Sequence, residues 1–517
     1  MDLDRFLHQL QFQSEQVIPS DWKPAWDDAP LPFKLYQHLK EFPLDGDLPS
    51  SLNESSLDTT TGLKRLSHLL WYAYGQTGYS ETIMPLTNGA GVETIQAFRR
   101  FVPSGGGLYP SEVYIYLKME DVPYGIYHYD AAHHRLHLIR EGNVDSFLTE
   151  ALGGRCDVSK AQGILFVTTM FWKNFFKYNH FAYRLQGLDA GALLGQWQEL
   201  SSRARFSIKI HFQFLDRPIN HLLGLDEGEE STYAVVPFAE SDNSFIKNKT
   251  GNLSSSQWSR DIPEIKTSHY QRSINVLDFP YIKRINQQAM FNSPAQFGLV
   301  KPKEPDWIMN PTHSLPEIEP LVYNLADACR KRHSPELNFV NRSIPLKQLA
   351  LLLKETIKPS HTDLYAEDGR SSLAIYGCFH GVEGFPDGAY RYDANSHSLT
   401  EIAQGDFRLP LQQAMKVDNV NLHQVPICLH IAGERAHYKK ELGYRGYRIQ
   451  QMEAGMLLQR LLLTASALGM NGHPLLGYDG DACDRIYQLE KSKETTLIQI
   501  PMGFYQPKSS LVGNLHT

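Results

Sequence analysis

Two kinds of hydrophobic spacing alternate along this chain. Residues 63–75 place Leu66, Leu69 and Leu70 at the three- and four-residue intervals of an amphipathic helix. The runs SEVYIYL (111–117) and SLAIYGC (372–378) are rich in β-branched and aromatic residues and read as strands, while GIYHYD and GAYRYD alternate like half-buried hairpin strands. Beyond Tyr183, and again beyond Tyr447, apolar residues continue far enough for long helices, the second ending near ALGMNG. Helices and strands mixed in this way predict an α+β fold. Two stretches read as connections: 239–273, rich in Ser, Asn, Lys and Thr, and the proline-punctuated 301–320.

The elements come in the same order twice. PYGIYHYDAAHHRL from Pro123 and PDGAYRYDANSHSL from Pro386 share eight of fourteen positions at an offset of 263 residues (386 − 123). YRLQGLDAG from Tyr183 matches YRIQQMEAG from Tyr447 at 264, and LKRLSHLL from Leu63 matches LKQLALLL from Leu346 at 283. Three ordered matches mark a duplicated domain, far longer than the roughly 20 to 50 residues of a solenoid repeat. A chain of 517 residues is also too long for one ordinary core. The boundaries read as a first domain over 1–240 with an N-terminal extension, a crossover over 241–320 and a second domain over 321–517. Such a pair predicts approximate twofold symmetry, with the halves meeting along the helices after Tyr183 and Tyr447.

The copies differ where chemistry is expected. From Leu63 to Pro123 is 60 positions but from Leu346 to Pro386 only 40, so the second copy is shorter by 20. The excess in the first copy holds PSGGGLYP, whose Gly105, Gly106 and Gly107 can take backbone angles closed to other residues and let a flat or charged group approach. Conversely, only the second copy offers Arg342 and Ser343 at an expected helix entrance, where the first has Thr59, Thr60 and Thr61. A serine cap, free amides and a guanidinium there would cradle an anion. Arg100 either points at the same ligand or is a solvated charge, and Gly503 in IPMGF is either a strand bulge or a ligand contact. Asp189 and Glu453 occupy matching helix positions, which favours an interface role. Lys177 and Tyr178 are adjacent; on a helix they would point about 100 degrees apart, so they can serve one ligand only near a helix start or in a loop.

Composition narrows the class. With 42% hydrophobic residues, 21% charged residues, a net charge of −7 and a pI near 6.3, the chain has no bulk electrostatic basis for binding nucleic acid. MDLDRFLHQLQF does not read as a secretory signal, and MLLQRLLLTASALGM is too short and too interrupted to span a bilayer. Five cysteines without a CxxC pair fit reduced thiols, so a cytoplasmic protein without structural zinc is expected.

PSGGGLYPSEVYIY resembles the Pro-Ser-x-Gly-x-Leu-Tyr-Pro loop of the SagB-type dehydrogenases, the azoline-oxidising branch of the FMN-dependent nitroreductase superfamily. PYGIYHYD and KYNHFAYRLQGLDAG resemble two further signatures of that family, and HPLLGYDGDACDRI with LIQIPMGF resembles its C-terminal region. NRS is a reduced form of the superfamily's Arg-x-Ser phosphate motif. GYRGYR is kept in the second copy, after Glu441 and Leu442, while the first has NHFAYR. The resemblance implies two nitroreductase-like domains, each a mixed sheet wrapped by helices, forming an intramolecular pseudo-dimer. It implies one FMN per chain, held by Arg100, Ser104, Gly105–Gly107, Arg342, Ser343 and Gly503, with Lys177 and Tyr178 carrying proton transfer; which of the two is the base stays open. It further implies oxidation of thiazolines or oxazolines to thiazoles or oxazoles, with dioxygen as electron acceptor. The substrate would be a ribosomal peptide or a carrier-protein-bound intermediate, made by a cyclodehydratase or a peptide synthetase. Alternatives are a general NAD(P)H-dependent FMN nitroreductase or quinone reductase, and a non-catalytic docking scaffold.

Overall fold

The computed structural model describes residues 2–53, 62–85, 92–240, 262–301, 312–366, 371–507 and 511–514. The duplication is written into its strand order. In the first half Glu41–Pro43 (β1), Ser111–Leu117 (β2), Gly125–Asp130 (β3), Arg135–Glu141 (β4), Gly163–Met170 (β5), Ser207–Ile208 (β6) and Glu230–Ala239 (β7) form a seven-stranded sheet in the order β1-β4-β3-β2-β5-β7-β6. The second half repeats it with Thr312–Ser314 (β8), Ala374–Phe379 (β9), Gly388–Asp393 (β10), Ser398–Gln404 (β11), Ile427–Glu434 (β12), Asn471–Gly472 (β13) and Glu494–Gly503 (β14), ordered β8-β11-β10-β9-β12-β14-β13. Where the resemblance implies mixed sheets, every ladder in both is antiparallel among the described residues.

Five helices matter for the site: Gly62–Tyr74 (α1), Phe171–Tyr178 (α2), Ala182–Arg203 (α3), Leu346–Thr356 (α4) and Arg445–Ala467 (α5). The two long helices, α3 and α5, pack on each other at the centre. Gly187, Gly191 and Gly195 line one face of α3, and a β-carbon on Gly191 would lie 2.0 Å from the Met452 carbonyl. Gly455 answers from α5, where a β-carbon would lie 2.2 Å from the Leu188 carbonyl. Backbone therefore meets backbone, and nothing larger than glycine fits without parting the helices.

Symmetry-related residues close the contact. Tyr183 and Tyr447 stack on one another, 5.9 Å between centroids and 12° between planes. Arg184 reaches across to the carbonyl of Leu497 (2.7 Å), while its counterpart Arg448 reaches the other way, to Asp216 (2.9 Å) and Asn286 (3.2 Å). Arg445 joins Arg448 on Asp216 at 2.6 Å, making a fully buried triad of two guanidiniums on one carboxylate.

In the excess of the first copy, Gly78–Pro85 pairs antiparallel with Val92–Arg99, which is followed by the glycine loop; residues 86–91 lie outside the described residues. A third strand, Leu511–Asn514, comes from the far end of the chain and pairs antiparallel with Gly78–Pro85. The N-terminal helix Leu3–Phe12 likewise crosses over, with Gln11 Nε2 on the Thr496 carbonyl at 2.7 Å. Within 241–320, residues 241–261 and 302–311 lie outside the described residues. Between them, Pro280–Ala289 is a helix that buries Ile282 and Ile285 in the core shared with α1 and α3, and Ser268–Tyr270 pairs with Leu35–Gln37.

Candidate active site

The glycine loop is a single tight turn. Ser104 is extended, and Gly106 and Gly107 have φ of +68° and +69°, angles that only glycine adopts without strain. Asp189, half-buried on α3, fastens the turn. Its carboxylate accepts from the Ser104 hydroxyl at 2.6 Å and from the Gly105 amide at 3.1 Å, while Ser104 Oγ accepts from the Tyr109 amide at 2.9 Å. Burial pushes the Asp189 carboxyl up to about 7, against the pull of those hydrogen bonds. Glu453 does the corresponding work on α5. It accepts from Tyr365 (2.6 Å), Tyr438 (2.8 Å) and Ser371 (3.3 Å), and burial likewise pushes it up to about 7. The matched acids, read from sequence as interface residues, each anchor the segment leading into a central strand.

Lys177 and Tyr178 close α2, and Asn179, at φ +49°, breaks it. The expectation that adjacent side chains can share a ligand only near a helix start or in a loop is corrected here: the two converge at the helix C-terminus. Their meeting point is the glycine turn: a β-carbon on Gly106 would lie 2.6 Å from the Tyr178 oxygen and 3.0 Å from Lys177 Nζ. Gly107 beside it faces open space. Lys177 is half-buried, 5.6 Å from the centroid of the Trp26 ring, and no carboxylate pairs with it among the described residues. Burial lowers its ammonium below the ordinary lysine range. Tyr178 moves the other way, pushed far up by burial and then by the Asp189 charge. Trp22 ties the N-terminal segment here, donating from Nε1 to the Lys177 carbonyl at 3.1 Å. Sequence reasoning passed over both tryptophans; a pair of indoles spaced by four in an otherwise polar extension was the available signal.

Arg100 is buried behind the loop. Its guanidinium stacks on Tyr74 at 3.8 Å and donates to the carbonyls of Tyr74 and Pro32, and its amide donates to the Tyr109 hydroxyl at 3.1 Å. It braces the turn from within.

The second-half residues form a separate group. Arg342 is exposed, stacked at 4.1 Å on Phe504, and lacks a carboxylate partner among the described residues. Ser343 is exposed but caps nothing, because Pro345 is the residue before α4. Ile344 exchanges backbone hydrogen bonds with Gly381 and Glu383, which holds Ser343 short of the helix. Gly503 ends β14 facing Pro426, where a β-carbon would lie 2.6 Å from Cδ. The described contacts do not join this group directly to Gly106. The segment between them does: Arg332 Nε donates to the Phe101 carbonyl at 2.8 Å, and the next residue, His333, lies edge-on to Tyr505 at 4.4 Å. The threonines opposite Arg342, Thr59–Thr61, lie outside the described residues. A glycine backbone open on one side and an unpaired exposed guanidinium fit a flat cofactor with an anionic tail, as FMN is.

Residues 329–504 match the model of the Nitroreductase family. The MJ1384 protein of Methanocaldococcus jannaschii, named as a nitroreductase, is 28% identical over 195 residues, 37% of this chain and 94% of that protein. The trifolitoxin-processing protein TfxB of Rhizobium leguminosarum bv. trifolii is 28% identical over 190 residues, 34% of this chain and 48% of TfxB, so the match spans about half the length of that relative. A crystal structure from Anabaena variabilis, also titled a nitroreductase, superposes on 98% of this chain and 100% of its own with a TM-score of 0.76 at 22% identity, so the two-sheet fold is shared throughout.

Proposed function

We propose, on the premise that residues 329–504 are a nitroreductase-family domain, that the chain is an FMN-dependent oxidase that aromatises thiazoline or oxazoline rings of a peptide natural product. The convergence of Lys177 and Tyr178 on Gly106 carries this reading. The two residues proposed to move the proton thus lie against the loop expected to hold the cofactor, and in one half only, since Glu441 and Leu442 stand at the equivalent positions of the other. A relative named for processing trifolitoxin supports a natural-product substrate.

Gly105–Gly107, Arg342 and Ser343 would hold FMN, which when bound supplies a hydride acceptor. The neighbouring ring carbon must lose a proton. Lys177 takes it, because burial already favours its neutral amine, whereas the same burial opposes ionisation of Tyr178. Tyr178 keeps its proton and donates a hydrogen bond to the ring heteroatom. Trp26 beside Lys177 gives the flat heterocycle an apolar wall. The substrate arrives on a peptide or a carrier protein, from a cyclodehydratase or a peptide synthetase.

The deciding experiment is the visible spectrum of the purified protein followed by turnover of a thiazoline thioester under air. A yellow protein yielding thiazole is expected. A yellow protein bleached rapidly by NADPH but inert to thiazoline would make it a reductase; a colourless protein would leave a scaffold.

A further inference from the structure

A pocket separate from the glycine turn lies beyond the first turn of α2. Three segments distant in sequence wall it: residues 30–34 of the N-terminal extension, the start of α2, and a strap over 269–279. The strap is built in place. Trp172 Nε1 donates to Ser273 Oγ at 2.9 Å, Ser273 Oγ donates to the Asp28 carbonyl at 2.7 Å, and the Asp28 carboxylate accepts from the amides of Ile274 and Asn275. Phe33, Trp172 and Phe279 make an apolar interior, with Val276 exposed at the rim.

The charges in this wall are arranged by sign. Lys34 and Lys173, both buried, line the pocket, and exposed Arg272 joins them at the rim. Glu230 holds Lys34 at 2.7 Å, and Glu112 holds Lys173, and neither carboxylate lines the cavity. His269 also faces the pocket, with its charge suppressed by burial and by Lys34 to a pKa of about 4, so at neutral pH it can donate a single N–H. Glu229, exposed at the mouth, is the one acid in the lining. Two buried lysines whose counterions lie outside the lining, beside an aromatic interior, suit one kind of guest.

We infer that this pocket binds a carboxylate carried on an apolar or aromatic body. The carboxylate meets the Lys34 and Lys173 ammonium groups, and the body fills the space among Phe33, Trp172 and Phe279. A free hydrophobic acid and the C-terminus of a hydrophobic peptide share that chemistry. The inference does not depend on the proposed oxidation. Lys173 does connect the pocket to the glycine loop, donating to the Tyr109 carbonyl at 3.3 Å from its floor.

Isothermal titration of the full-length protein tests it, using 4-phenylbutyrate for the free acid, N-acetyl-Leu-Phe for the peptide terminus, and the primary amides of both. Saturable binding of at least one acid is expected, with its amide weaker by about tenfold or more, the worth of a charge-assisted hydrogen bond. The tighter of the two acids identifies the source. Val276→Trp, which fills the mouth, and Arg272→Glu, which reverses the rim charge, should each weaken binding by a similar factor without moving the thermal midpoint. Absence of saturable binding by both acids, amides that bind as well as their acids, or variants that bind like the parent would each overturn the assignment.

Discussion

Gly106 and Tyr178 stand so close that a β-carbon on the first would lie 2.6 Å from the phenolic oxygen of the second. The glycine is thus fixed twice, by its φ of +68° and by a neighbour on another element. Gly106→Val should fold but displace both Tyr178 and Lys177. Thiazoline turnover should drop at least about tenfold, and flavin released on denaturation should fall below the one equivalent expected of the parent. Two equivalents from the parent would instead show that both clefts are loaded.

Lys177 and Tyr178 should separate in their pH behaviour. If the neutral lysine is the base, kcat/KM rises with pH through one ionisation below the ordinary lysine value of 10.5. Lys177→Ala should lose roughly 100- to 10,000-fold and flatten that limb, and Lys177→Arg, which stays protonated, should do the same. Tyr178→Phe should lower turnover while keeping the limb. Glu441→Ala in the other half should leave both rate and profile unchanged.

Asp189 gives a stability prediction with a defined sign. Its carboxyl ionises near 7 in the fold against 3.8 ordinarily, so between these values the folded state holds a proton that the unfolded chain has released. Its contribution to stability is fully present below about pH 4 and is lost as pH rises through 7. Asp189→Asn lacks that loss, so the variant should gain on the parent in thermal midpoint as pH goes from 4 to 8. Asp189→Ala should instead free Ser104 and the Gly105 amide, and reduce flavin content at every pH. A pH-independent difference between the Asn variant and the parent would show that the carboxyl is ionised throughout.

Asp216 is the counterion for two buried guanidiniums and also accepts from the Phe291 amide at 2.8 Å. Asp216→Ala leaves Arg445 and Arg448 charged and unpaired in the core, a loss of about 3–5 kcal/mol measurable by urea unfolding. Since Arg448 belongs to α5 and Asp216 to the first half, the variant should also expose the junction between the halves to proteolysis.

The repeat made the architecture legible. Both hairpins lie at the predicted residues, and the glycine turn, Lys177 and Tyr178 come together as one cluster, because local spacing and turn chemistry record backbone demands directly. What stayed hidden is what depends on partners remote in sequence. The paired strands 78–85 and 92–99 fall in the excess that the sequence leaves unassigned, and their third strand is supplied by residues 511–514. Ser343 reads locally as a helix cap, but Ile344, bonded to Gly381, holds it short of the helix. Arg445 and Arg448 sit in a helix that reads as apolar, and no local signal names Asp216, more than two hundred residues away, as their counterion. Trp26 beside Lys177 belongs to the same class.

A homodimer inherits every substitution twice, so its two clefts change in step and neither can be spared. Joining the halves in one polypeptide removes that constraint. A mutation that places glutamate at 441 leaves Lys177 as it was, and twenty residues can go from one copy while the hairpin and glycine turn remain in the other. The crossed elements bind the copies together further: residues 511–514 add a strand to the first half's pair of extra strands, and the N-terminal helix hydrogen-bonds to the second half at Thr496.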